Sequence, residues 1–152
     1  MANTQAMCTS FMGELLTGTH NFTTGTGDSF KAALYLSSAT VNAATTVYSA
    51  TGEVSGSGYT AGGVAVTNGT SPLSSNTSAT AGTAYWTPSA SIVYTSVTLT
   101  TAFNCLLLYN TSKTNKAVSV HTFGDQTITA GTFTLTMPTN STATALLRLA
   151  TT

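Results

Sequence analysis

The sequence predicts an all-β fold: an antiparallel β-sandwich, immunoglobulin-like or jelly-roll-like, behind one short N-terminal α-helix. Three observations carry this reading. Thr fills 35 and Ser 17 of the 152 positions, and β-branched Thr suits a pleated surface while its hydroxyl keeps an exposed face wet without charge. From Phe30 onward, apolar residues recur with period two in short runs. Clusters of Gly, Asn, Ser and Pro separate those runs at intervals of about 8–12 residues, the rhythm of a sandwich or related barrel.

Residues 4–16 read as the helix. Met7, Cys8, Phe11, Met12, Leu15 and Leu16 recur at helical spacing, Asn3 or Thr4 can cap the start, and Gly18 follows the end. So short a helix is marginal alone, and its apolar stripe must dock on the open end of its own sandwich or on a neighbour. Met7, Phe11 and Leu15 are therefore candidate interaction residues. The Gly- and Thr-rich stretch 17–28 reads as a flexible connector. This divides the chain into a helix and arm over 1–29 and a β-sandwich domain over 30–152.

In "FKAALYLS", Phe30, Ala32, Leu34 and Leu36 fall on one strand face and Lys31, Ala33 and Tyr35 on the other. Strand-like runs follow in "TTVYSA", "GEVS", "VAVT", "TAYWT", "SIVYTSVTL", "FNCLLLYN", "KAVSVHTF", "QTITA", "TFTLTMP" and "ALLRLA". "LLLY" reads as a central strand covered on both faces. "TFTLTM" alternates, with Phe133, Leu135 and Met137 inward and Thr132, Thr134 and Thr136 outward. The polar stretch 67–83 reads as an exposed loop.

Composition narrows the function. Charged residues make up 5% of the chain, against about 25% in an average soluble domain. The longest apolar run, "CLLLY", is strand-sized and far short of the roughly 18 residues of a membrane span. Net charge is zero, so there is no basic excess to displace counterions from a phosphate backbone and nucleic-acid binding is not expected. A surface this neutral lacks the usual electrostatic guard against self-association, which suits an assembled protein. "MANTQAMCTSFMGELL" has neither a positive n-region nor an apolar h-region, so no signal peptide is expected. In a reducing cytoplasm Cys8 and Cys105 read as free, buried thiols.

His121 and Asp125 form the most enzyme-like pair. As chemistry they would be a base and its orienting carboxylate, needing a nucleophile nearby. As structure, "FGDQ" is a turn between two strands and the pair an internal hydrogen bond, and this is the reading we adopt. "GYTAG" imitates a nucleophile elbow but lacks Ser and a following helix. No metal-ligand spacing links His20, His121, the two Cys and the carboxylates Glu14, Asp28, Glu53 and Asp125. Neither a cofactor nor an enzymatic activity is expected. The five Asn-x-Ser/Thr matches are close to the chance number in so Ser/Thr-rich a chain. Trp86 reads as core, with an aromatic sugar platform as the rival. Thr-x-Thr runs raise an ice-binding array, but their spacing is irregular.

Two blocks, "DSFKAALYLSSATVNAATTVYSATGEVSGSGYTAGGVAVTN" and "LLLYNTSKTNKAVSVHTFGDQTITAGTFTLTMP", together with "ALLRLA", carry a resemblance. The chain resembles the small β-rich virion structural proteins of tailed bacteriophages over most of 28–149. That resemblance implies a capsid decoration (cement) protein first, and a tail, neck or head-fibre component second. It implies the major capsid protein or other virion proteins as partners, a homo-oligomer with a trimer favoured, and location in the virion. No catalytic residue comes with it.

Overall fold

A computed structural model describes residues 2–77 and 80–151. The chain is 46% strand and 8% helix, with two antiparallel sheets and one short helix. In chain order the elements are β1 (Ala6–Met7), α1 (Thr9–Leu16), β2 (Phe30–Leu36), β3 (Val64–Val66), β4 (Leu73–Thr77), β5 (Thr80–Trp86), β6 (Ile92–Asn110), β7 (Lys116–Leu135) and β8 (Leu147–Ala150). The larger sheet runs β1-β7-β6-β2-β3 and the smaller β4-β5-β8.

The β6–β7 hairpin is the spine. Its tight link, a 3-10 turn over Thr111–Lys113, is capped by Asn110, whose side chain accepts from the Ser112 amide, and it leaves through left-handed Thr114 and Asn115. Near this turn every residue from Cys105 to Asn110 is buried, as are Ala117–Val120. The both-faces burial expected of "LLLY" is present. It extends to β2, where Ala32 to Tyr35 are all buried although the sequence alternates only weakly. Gly63 sets the turn into β3. It holds φ +70°, and a Cβ there would lie 1.7 Å from the Ala32 carbonyl oxygen, so only glycine fits.

Beyond Phe103 the hairpin continues without β2. Several register shifts bend it, and Ser96 and Ala130 adopt positive φ. Here the sequence reading needs correction. "FGDQ" is no turn: "VSVHTF", "QTITA" and "TFTL" are one strand, Lys116–Leu135. The in–out alternation of Phe133, Leu135 and Met137 against Thr132, Thr134 and Thr136 is present. "TTVYSA" and "GEVS" form single bridges, Val47 to Lys116 and Glu53 to Tyr35, in place of strands.

Three further corrections concern the termini and the polar loop. The helix spans Thr9–Leu16, its N-cap is Cys8 with no side-chain cap, and Ala6–Met7 pairs with β7 as a strand. Asn3, expected to cap, instead bonds the backbone of Leu36 and Val41 and the side chain of Asn104. The stretch 67–83 carries most of the β4–β5 hairpin, with residues 78 and 79 of that stretch outside the described residues.

Segment 17–28 does not behave as a free connector. Phe22 is 7% exposed, stacks on Phe30 of the larger sheet with centroids 4.4 Å apart, and lies 4.8 Å from Trp86 of the smaller. Phe11 of α1 meets Phe22 edge-on at 6.0 Å. Helix, arm and both sheets thus contribute to one core.

Candidate functional site

His121 and Asp125 sit on one strand but do not meet. The imidazole Nε2 lies 2.8 Å from the Ser119 hydroxyl. Asp125 accepts from Ser37 at 2.7 Å and Asn104 at 3.0 Å, which pins the distal hairpin to the end of β2. Burial pushes the imidazole down to about 4, so the ring is neutral near pH 7. A Ser–His contact therefore exists, but the sequence's candidate carboxylate does not orient it.

The remaining carboxylates are held in structural networks. Glu14 of α1 bonds Lys116 and, at 2.7 Å, His20; on the far side of His20 the Asn110 amide donates to Nδ1 at 2.9 Å and to Asp28 at 2.8 Å. Lys113 lies 3.5 Å from Asp28. Partial burial would raise both carboxyls. The bonds from Lys116 and His20 outweigh it at Glu14, and those from Asn110 and the Asn21 amide at Asp28, so both are lowered. This chain of polar groups fastens α1 and the arm to the β6–β7 turn. A second network centres on Glu53, which accepts from Tyr48 (2.6 Å), Tyr59 (2.7 Å) and the Gly62 amide (2.8 Å). Burial pushes both phenols up, so they remain donors. Among the described residues no cluster of three His, Cys, Asp or Glu is placed to hold a metal. Cys8 and Cys105 are free and buried.

What the fold does assemble is apolar. Met7, Phe11 and Leu15 face Ala84, Trp86, Leu147 and Leu149 of the smaller sheet across a cleft of about 100 Å³. The three interaction candidates thus come together, with their roles unequal. Phe11 is 1% exposed and is spent inside its own chain, whereas Met7 and Leu15 are half-buried. Exposed apolar side chains nearby in the same elements are Leu16 (91%) and Met12 (42%) of α1 and Leu149 (45%) of β8, of which Leu149 lines the cleft. Leu16 stood in the helical pattern, but only the position of β8 explains Leu149. Trp86 is 2% exposed and its indole N–H donates to Asn68 and Thr70, so Trp86 offers no face to a sugar ring.

A second, more polar groove of about 410 Å³ adjoins the cleft through the shared Met7 and Leu147. It lies beside β8 and is walled by β1 and the Ser119–His121 stretch of β7. Comparison with protein-family models, curated proteins and solved structures finds no match for this chain.

Proposed function

We propose that the chain is a non-enzymatic structural protein of a tailed-bacteriophage virion, a decoration (cement) protein that binds the outer shell and bridges capsid subunits. The observation that carries this reading is the apolar cleft, lined by half-exposed Leu149 and by the helix whose Leu16 and Met12 are exposed, on a molecule that is 5% charged. Such a surface is suited to standing contact with a protein lattice. The polar side chains that resemble chemistry, His121, Asp125, Glu14 and Glu53, are engaged in holding the fold. The two sheets, joined through Phe22, form an open sandwich in this reading, and the cleft at its end is the docking edge. The protein works as a symmetric homo-oligomer, a trimer favoured, with the major capsid protein as partner.

Full burial of a Leu side chain is worth about 1.5–3 kcal/mol, so substituting two exposed Leu side chains should weaken binding by at least about tenfold even after ordering costs. Repetition over a lattice raises the effective affinity of each modest contact. In co-sedimentation with capsids stripped of this chain, Leu16→Lys combined with Leu149→Lys should lose that affinity while circular dichroism stays native. Apolar contacts are screened little by salt, so wild-type binding should barely change with ionic strength. A steep salt dependence, or full binding by the double variant, would refute the docking edge.

A further inference from the structure

The smaller sheet has three strands and two open edges. In the order β4-β5-β8, neither outer edge has a strand partner among the described residues. Each open edge carries a row of backbone donors and acceptors that only another strand satisfies regularly. Natural edges are commonly guarded by charge, proline or a bulge. Here β4 reads LSSNT without a charge, Pro72 stands before the strand, and its register on β5 shifts only at its far end, between Ser75 and Thr77, while β8 carries one charge, Arg148. Leu73 on β4 is 50% exposed and Leu149 on β8 45%.

A groove lies beside one of these edges, that of β8. The 410 Å³ groove is lined by Leu147, Arg148 and Ala150 of β8, with Thr83 of β5 and Thr142 and Leu146 ahead of β8, and by residues of β1 and β7. Among the described residues Arg148 is the one charged residue lining it, and its guanidinium already donates to the Ala143 carbonyl at 2.5 Å. An uncharged strand can enter without stranding a charge.

We propose that this groove receives β4 of a second copy, so that copies join head to tail through β8 and β4 and close into a ring. The lengths agree, five residues in β4 against four in β8. Both strands run antiparallel to β5 and hence in the same direction. Rotation about an axis along the strands therefore brings β8 of one copy beside β4 of the next. A two-fold pairing of β8 with β8, or β4 with β4, would leave the other edge open in each copy. The head-to-tail contact satisfies both edges at once, and cyclic closure removes them all. The inference rests on the reading that the protein works as a symmetric oligomer, but not on what the oligomer coats.

Sedimentation velocity of the full chain at micromolar concentration should give three or more copies, not one or two. Because Cys8 and Cys105 are buried, introduced surface thiols can be addressed selectively. With a short bis-maleimide, Ser74→Cys or Ala150→Cys alone should yield little covalent dimer, and an equimolar mixture should yield the 74-to-150 product. A monomeric wild type, cross-linking of either single variant to itself, or no product from the mixture would overturn the ring. A ring that fails to bind capsids would leave this inference standing and sink the capsid reading. Capsid binding by a monomer would do the reverse.

Discussion

Phe22→Ala should lower the free energy of unfolding by about 3–5 kcal/mol, the usual cost of deleting a buried aromatic side chain. Phe22 belongs to a stretch that looks like linker, yet its ring stacks on Phe30, tilts against Trp86 at 4.8 Å and meets Phe11 edge-on. Removing it opens a cavity where helix, arm and both sheets meet, and rigid strands cannot collapse to fill it. The loss should appear as a lower denaturant midpoint with a single transition. A cost below about 1 kcal/mol, typical of surface sites, would mean that the arm is peripheral and the two sheets are held together by other contacts.

The second large effect is on pH. The His121 imidazole is pushed from 6.5 to about 4 by burial, so the unfolded chain binds its proton more readily than the folded one. Stability from this site is complete above pH 6.5 and declines as pH falls towards 4, by at most about 3.5 kcal/mol at about 1.4 kcal/mol per unit. Glu14 and Asp28 act with the same sign lower down. Their folded values lie below the ordinary 4.5 and 3.8, so their contribution is present above those values and lost as pH drops through the folded ones. Unfolding free energy should therefore fall in two stages from pH 7 to pH 3. His121→Gln should flatten the upper stage alone. An unchanged slope between pH 6.5 and 4 in that variant would place the titration elsewhere.

The β class was legible because it rests on composition and period, which are local. Thr-rich alternation marks "TFTLTM" whatever surrounds it, and unbroken apolar character marks "CLLLY". Strand continuity through residue 125 was not legible. Gly124 and Asp125 are turn-formers by local chemistry, and they stay extended because Ser37 and Asn104, distant in sequence, hold the carboxylate. Tertiary bonds overrode local preference. The helix lost its first turn for a similar reason, since Ala6 and Met7 gain ladder bonds to Val120 and Ser119. The core position of Phe22 and the network position of His20 were not legible, because isolated residues in a Gly/Thr-rich stretch show no periodicity. Half of the cleft was readable, the α1 stripe of Met7, Phe11 and Leu15. Its other wall comes from β5 and β8, and nothing local in "ALLRLA" says which Leu faces the helix.

The claim that matters most is that this chain coats a capsid in many copies. The most direct test is its copy number in purified virions, measured against the major capsid protein by quantitative mass spectrometry. The account predicts a stoichiometry comparable to that of the shell subunits, in multiples set by its symmetry axes. A handful of copies per particle would instead assign it to the neck, tail or a fibre, and its absence from virions would contradict the account outright.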